Sequence, residues 1–133
     1  MKNIPKLQVS WEGFNLMYVK LATSIKNSRL PIKQIYGIPR GGLILAVILS
    51  HYLEVPLSNK ITKNTLIVDD ISDSGETFLK FKRKYRNILT ASLLIRKSTK
   101  FVPNYFVKSI DKDWVVFPWE LLTEKTEKDN TNV

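Results

Sequence analysis

One uninterrupted stretch, residues 66–77, constrains the fold of this chain more than any other. It reads LIVDDISDSGET: a short apolar run, two adjacent aspartates, and a loop of small and hydroxylated residues with one glycine. The apolar run predicts a buried strand that brings both carboxylates to the carboxyl end of a parallel sheet, where such sheets open their binding crevice. Apolar residues then resume at helical spacing, so the loop offers N–H groups and hydroxyls at a helix N-terminus, which suits an anion.

Carboxylates beside an anion-binding loop suit a ligand that carries both a diol and a phosphate. A sugar phosphate is the simplest such ligand. The same residues are also compatible with an ordinary strand, a polar turn and a helix N-cap, for which Ser72, Asp73 or Ser74 would serve.

Length and composition indicate a packed globule. With 133 residues and 44% hydrophobic residues, we expect a single domain over residues 1–123, followed by a frayed polar tail over residues 124–133. The chain has no cysteine, which excludes disulfides and thiolate metal sites. Its longest apolar run, residues 43–49, is too short to cross a bilayer, and no signal-peptide pattern is present. We therefore expect a cytoplasmic protein without a membrane partner.

The net charge of +9 favours an anionic partner, which could be nucleic acid, an anionic membrane or a phosphorylated small molecule. The lysines are scattered, and only residues 80–84 (KFKRK) are densely basic. That cluster falls on a predicted helix, where a basic face is more often solvated surface than a nucleic-acid contact. A phosphorylated small molecule accounts for the basic bias without nucleic acid.

The order of the predicted elements favours an α/β fold. Strands and helices alternate through the middle of the chain, which predicts βαβ units with right-handed crossovers. Ser10 is the predicted cap of the first helix. The predicted helices are residues 11–27, 42–53 and 77–85, and the predicted strands are residues 33–38, 55–57, 65–68, 88–95 and 105–107.

Residues 66–77 resemble the signature of the type I phosphoribosyltransferases, which bind 5-phosphoribosyl-1-pyrophosphate (PRPP). The resemblance implies a parallel sheet flanked by helices, with a small hood-like C-terminal segment. A second match is the loop GIPRGG at residues 37–42. In this family that loop binds pyrophosphate, so the resemblance assigns pyrophosphate to Arg40 and Gly41 and implies a cis Pro39–Arg40 bond.

A third match lies at residues 113–120 (DWVVFPWE), which are similar to the C-terminal segment of bacterial xanthine-guanine phosphoribosyltransferases. The similarity implies that Trp114 stacks on a purine and that the Val115 backbone reads the ring edge. It also implies a lysine that donates to the exocyclic oxygen of the base. Lys97 is the candidate for this residue, and Arg96 is the alternative. Phe117 and Trp119 are interpreted as core residues.

The resemblance implies transfer of a phosphoribosyl group from PRPP to a 6-oxopurine (hypoxanthine, guanine or xanthine), with Mg²⁺ as cofactor. Asp69 and Asp70 would hold the ribose hydroxyls and the metal, directly or through water. Asp73 would act on the base as a general acid or base. The 5′-phosphate would be bound by Asp73, Ser74, Gly75, Glu76 and Thr77.

One departure from the family pattern concerns the lid. Most members carry a long mobile loop before the carboxylate strand, whereas here only residues 58–64 are available, so we expect a much shortened catalytic loop. A neighbouring subunit could provide the cover, and we expect a homodimer or a larger homo-oligomer. Alternatively, the protein is a PRPP- or nucleotide-sensing regulator with little or no catalysis, possibly binding nucleic acid.

Overall fold

The computed structural model describes residues 6–120, which alternate between strands and helices as the sequence predicts. The helices are α1 (Trp11–Ser28), α2 (Gly41–Leu53) and α3 (Glu76–Lys84). The strands are β1 (Lys6–Gln8), β2 (Gln34–Gly37), β3 (Thr65–Ser72), β4 (Leu89–Arg96), β5 (Lys108–Ile110) and β6 (Trp114–Val116).

The main sheet has four parallel strands in the order β2-β3-β4-β5. The first four residues of β3 are all buried, as are six of the eight residues of β4. Because successive side chains of a strand point to opposite faces, continuous burial means that both faces of the sheet are covered. The predicted α/β class, a parallel sheet flanked by helices, is confirmed.

The described chain divides into two compact units. The larger unit is Met17–Asp111 and contains the four-stranded sheet, α2 and α3. In the smaller unit, residues 6–16 join residues 112–120, and β1 pairs in parallel with β6. The single domain over residues 1–123 stays a prediction, and the predicted tail over residues 124–133 lies outside the described residues.

An aromatic cluster fills the smaller unit. The ring of Trp119 stacks on Phe117, with ring centroids 4.9 Å apart, and meets Phe14 edge-on at 5.3 Å. Phe14 and Phe117 are both buried. The interpretation as a core residue is thereby confirmed for Phe117, whereas Trp119 is half-buried.

The start of α1 follows the sequence closely. The backbone carbonyl of Ser10 accepts from the N–H of Phe14 at 2.8 Å, and the Ser10 hydroxyl accepts from the N–H of Gly13 at 2.9 Å. The hydroxyl therefore satisfies one of the N–H groups that lack a partner in the first helical turn, and the predicted Ser10 cap is confirmed.

Two predicted strands are wrong. The strand expected at residues 105–107 begins only at Lys108. The N–H of Thr90 donates to the side-chain oxygen of Asn104 (3.0 Å) and not to a backbone carbonyl, so the strand pairing is interrupted there. Tyr105 forms only an isolated bridge to Ala91. The strand expected at residues 55–57 is reduced to one bridge between Leu57 and Ile35. Pro56 interrupts it, since proline has no N–H to donate to a ladder.

The connection from α2 to β3 is short and held in place. The N–H of Ser58 donates to the carbonyl of Ile35 (2.9 Å), the Gln34 amide donates to the carbonyl of Lys60 (2.7 Å), and the N–H of Thr62 donates to the Thr65 hydroxyl (3.0 Å). The predicted shortening of the catalytic loop is confirmed.

No helix between residues 6 and 120 combines the length and the apolar character that a membrane crossing needs.

Candidate functional site

The two adjacent aspartates lie in the second half of β3. The sequence predicts a strand that ends at Val68, but β3 continues to Ser72, so both aspartates belong to the strand itself. The N–H of Asp70 donates to the Asp69 carboxylate at 2.9 Å, and the N–H of Ile71 donates to the Asp70 carboxylate at 2.8 Å. Each carboxylate is thus folded back onto the backbone, which fixes its orientation.

The two carboxylates share an environment that disfavours a second negative charge. Burial first, and then the charge and hydrogen bonding of neighbouring Asp70, together raise the pKa of Asp69 from its ordinary value of 3.8 to about 8. The Asp70 N–H works in the opposite direction, because it donates to the ionised form. A proton or a cation is therefore favoured at this pair near neutral pH.

The loop before α2 meets the aspartate pair. The Pro39–Arg40 peptide bond is cis, as the resemblance implies. A Cβ atom on Gly41 would collide with the Asp70 carboxylate, and a Cβ on Gly42 would collide with the carbonyl oxygen of Val68. Only glycine permits this approach, so the chain places the predicted pyrophosphate loop directly against the predicted ribose-binding carboxylates.

The loop after β3 forms a cavity of about 210 Å³ together with the aspartates. Gly75 is the N-cap of α3, with φ +88°, and it replaces Ser72, Asp73 or Ser74, which the sequence offered as caps. Ser74 contributes more weakly, since its hydroxyl accepts from the N–H of Glu76 at 3.3 Å. The cavity is lined by Asp69, Asp70, Ile71, Ser72, Asp73, Ser74, Gly75, Thr77 and Phe78.

Residues 99–101, for which the sequence predicts no role, hydrogen-bond to this loop. The Ser72 hydroxyl donates to the carbonyl of Phe101 (2.8 Å) and lies 3.0 Å from the Thr99 hydroxyl, while the N–H of Lys100 donates to the carbonyl of Ser74 (2.9 Å). The available signal was topological: residues 97–101 follow β4, whose carboxyl end lies beside that of β3.

Asp73 is held by an arginine. Its carboxylate accepts from Arg96 Nε at 2.6 Å, and Arg96 Nη1 donates to the backbone carbonyl of Asp111, also at 2.6 Å. The Arg96 side chain is 18% exposed and that of Asp73 is 63% exposed. Lys97, by contrast, has an exposed side chain, and its N–H donates to the carbonyl of Ile110. The cation beside Asp73 is therefore Arg96.

Known proteins similar to this chain include purine phosphoribosyltransferases. The xanthine-guanine phosphoribosyltransferase of Cereibacter sphaeroides is 24% identical over 122 residues, covering 71% of this chain and 73% of the relative. That of Gluconobacter oxydans is 25% identical over 139 residues, covering 84% and 83%. The solved purine phosphoribosyltransferase from Pyrococcus horikoshii matches with a TM-score of 0.78 and 29% identity, over 88% of this chain and 95% of that one.

This chain resembles the type I phosphoribosyltransferases, as the sequence predicts. No protein-family model matches it. The solved xanthine-guanine-hypoxanthine phosphoribosyltransferase of Helicobacter pylori, at 24% identity and a TM-score of 0.75 over 91% of this chain and 97% of its own, shares the fold of this chain.

The remaining predicted base-binding residues lie in the smaller unit. Trp114 and Val115 are on β6, and Trp114 is 60% exposed although it is a large aromatic residue. An indole that is not used for core packing is free to stack on a planar ligand.

The aspartate pair also fits a divalent cation. Among residues 6–120 there is no group of three or more histidine, cysteine, aspartate or glutamate side chains that could hold a metal ion by itself. Two carboxylates with a raised pKa on one of them suit Mg²⁺, which commonly keeps several waters and shares one or two protein carboxylates with substrate oxygens.

Proposed function

We propose that the protein transfers a phosphoribosyl group from PRPP to a 6-oxopurine base, which yields a nucleoside monophosphate and pyrophosphate. The observation that carries the proposal is the contact of Gly41 with the Asp70 carboxylate, beside the loop that follows β3. One edge of the sheet thereby offers three groups for the three parts of PRPP: a loop for pyrophosphate, carboxylates for ribose and a helix N-terminus for the 5′-phosphate.

In the proposed reaction, N9 of the purine bonds to C1 of the ribose as the bond between C1 and the pyrophosphate oxygen breaks. The ribose ring becomes positively charged while negative charge grows on the leaving group. Arg40 is exposed on its loop and, together with the N–H of Gly41, would stabilise that growing charge. Asp69 and Asp70 would hold the ribose hydroxyls.

Proton transfer to or from the base is assigned to Asp73. Its hydrogen bond to Arg96 keeps the carboxylate at a defined position at the mouth of the cavity, and Arg96 is in turn anchored on the Asp111 carbonyl. The 5′-phosphate is assigned to the rest of the loop, Ser74, Gly75, Glu76 and Thr77, where N–H groups and hydroxyls converge at the start of α3.

Mg²⁺ is the proposed cofactor, with Asp69 and Asp70 as its protein ligands, either directly or through water. When bound, it would neutralise part of the pyrophosphate charge and help to orient PRPP. A cation held by this pair would also offset the repulsion between two carboxylates whose charge burial already disfavours.

The base is assigned to Trp114 through stacking and to Val115 through its backbone. Lys97 is the candidate donor to the exocyclic oxygen of the purine, and Arg96, which already donates to Asp73 and to the Asp111 carbonyl, is the alternative. The similarity to xanthine-guanine and purine phosphoribosyltransferases supports a purine as the acceptor.

Assembly into a homodimer or larger homo-oligomer is part of the proposal. Residues 41–53 contain no lysine, arginine, aspartate or glutamate, yet Leu43 and Val47 of α2 are nearly half exposed. Two copies that each carry a net charge of +9 can approach along this uncharged face without placing like charges opposite one another. Light scattering coupled to size exclusion measures the subunit number.

A cytoplasmic location stays a prediction.

The test is a direct assay of the purified chain with PRPP, Mg²⁺ and one base at a time, with chromatographic detection of the nucleotide. We expect nucleoside monophosphate from at least one of hypoxanthine, guanine and xanthine, and much less from adenine. An Arg40→Ala variant serves as the control, because it removes the proposed stabilisation of the leaving group from an exposed position. If PRPP binds but no base is converted, the regulatory alternative replaces this proposal.

A further inference from the structure

A second cavity lies in the larger unit, at the opposite end of the sheet from the candidate site. It has a volume of about 270 Å³ and is formed by residues 61–63 and 85–88. These residues precede β3 and β4, which begin at Thr65 and Leu89. Since a strand rises about 3.3 Å per residue, the eight residues of β3 separate this amino-end cavity from the phosphate loop by roughly 20 Å or more.

The amino-end cavity is lined by cations without acidic neighbours in sequence. No aspartate or glutamate occurs in residues 55–68 or 77–110. Lys63 and Arg86 line the cavity and are exposed. The ion pairs found within residues 6–120 are those of Arg96 with Asp73 and of Lys100 with Glu76, so neither cavity cation is neutralised by a carboxylate of the described chain.

The neighbouring basic residues of α3 have structural explanations that do not extend to Lys63 and Arg86. Cations in the last turn of a helix interact favourably with its terminal carbonyls. Lys82 Nζ donates to the carbonyls of Arg86 and Ile88, both at 3.1 Å, and Lys84 Nζ lies 5.4 Å from the ring centroid of Tyr85. Because α3 ends at Lys84, Arg86 and Lys63 lie outside that turn.

The walls of the cavity are already organised. The N–H of Asn64 donates to the carbonyl of Asn87 at 3.3 Å, which joins the two turns, and the N–H of Tyr85 donates to the carbonyl of Phe81. Ile61 and Tyr85 pack on an apolar cluster that includes buried Ile88. A rigid apolar base with a cationic rim lowers the entropy cost of holding an anion.

We propose that the amino-end cavity binds a small phosphorylated anion, with Lys63 and Arg86 as its charge partners and the Asn87 amide as a further donor. Its volume lies below the usual range for drug-sized ligands, about 300–1,000 Å³, so it suits an oligophosphate group better than a whole dinucleotide. The proposal does not depend on phosphoribosyl transfer, because the site shares no residue with the PRPP cavity.

The test is a titration of the isotope-labelled, full-length protein with inorganic tripolyphosphate, in which the chemical shifts of the backbone amides are measured by NMR. The salt concentration is about 0.15 M, at which interactions between exposed charges are screened beyond about 8 Å. We expect saturable shifts at residues 61–64 and 85–88. The double variant Lys63→Ala/Arg86→Ala should weaken binding at these residues about tenfold or more. Both side chains are exposed, so the variant is expected to keep the wild-type spectrum elsewhere.

Two matched controls distinguish binding at the amino-end cavity from non-specific electrostatic attraction to a basic protein. Lys80→Ala/Arg83→Ala removes the same charge from exposed positions of α3 outside the cavity and should leave the affinity within about twofold. Arg40→Ala should also leave the shifts at 61–64 and 85–88 unchanged, since Arg40 is in the proposed pyrophosphate loop. Equal loss in both double variants, or shifts confined to residues 69–77, would overturn the proposal. So would binding of an RNA oligonucleotide at these residues without any response to tripolyphosphate.

Discussion

The replacement Asp69→Asn tests the strained electrostatics of the aspartate pair. Asparagine keeps the size of the side chain and an oxygen that can accept the Asp70 N–H, but it cannot carry the negative charge. The variant should therefore be more stable than the wild type at pH 8, while it loses a proposed ligand for ribose and Mg²⁺. A gain in stability combined with a loss of ligand binding is typical of a functional site.

The pKa shift gives the sign and the upper limit of the effect. The pKa of Asp69 is raised from 3.8 to about 8, so the folded state holds the proton more tightly than the unfolded state does. Below pH 3.8 the carboxyl group is protonated in both states and contributes nothing. Between pH 3.8 and 8 the carboxyl group lowers the free energy of unfolding further with each pH unit. Above pH 8 this destabilisation no longer increases. At about 1.36 kcal/mol for each unit of pKa, the limit is roughly 5–6 kcal/mol.

Relaxation around the pair and water entry reduce this limit, and we expect the variant to gain about 2 kcal/mol at pH 8. For a chain of this length that gain corresponds to a rise in Tm of roughly 6–10 °C. Thermal unfolding followed by circular dichroism at pH 4, 6 and 8 measures it. The gain should shrink toward zero at pH 4. Asp111→Asn, which alters an exposed carboxyl group, is the control and should change Tm little at any pH.

A variant that is less stable than the wild type at pH 8 would refute the argument, because it would mean that the charged carboxylate stabilises the fold. A gain of the same size at pH 4 and pH 8 would refute it equally, since no titrating group could then be its cause.

Three further predictions concern the site. Gly75→Ala should weaken PRPP binding about tenfold or more by calorimetry, because φ is +88° and the new Cβ would lie 2.5 Å from the Phe101 nitrogen. Trp114→Ala should raise KM for the purine by roughly 5-fold to 100-fold, as expected for lost stacking, and leave KM for PRPP nearly unchanged, whereas equal increases would contradict stacking. Arg96→Gln should lower kcat by about tenfold or more by releasing Asp73, and Arg96→Lys should restore part of the loss; equal activity in both variants would exclude a charge requirement.

The centre of the fold could be predicted from the sequence because its signals are local. Residues 66–68 of β3 and residues 93–95 of β4 are short apolar runs, and α2 is apolar enough to require burial against a sheet. The three-residue strands could not be predicted in the same way. β1 and β6 pair with each other across almost the whole chain, and no pattern in three residues specifies so distant a partner.

In the candidate site, too, features with a local sequence signal could be predicted and contacts between distant residues could not. Both glycine-containing loops and the aspartates were visible in the sequence, because close backbone approach and paired carboxylates require particular residue types. The bond from Ser72 to Phe101 and the ion pair between Arg96 and Asp73 were not visible. Serine and arginine are common at strand ends, and only the folded backbone decides which partner each one meets.

The parallel pairing of β1 with β6 affects how truncation experiments should be interpreted. Lys6 lies opposite Trp114, and the N–H of Val9 donates to the carbonyl of Val116 at 2.9 Å. A shortened gene product that starts after residue 9 would keep every proposed ligand contact, yet the strand that presents the indole would lose its hydrogen-bonded neighbour. Removing the amino-terminal residues for expression, or fusing a bulky tag there, should therefore weaken binding of the purine more than binding of PRPP.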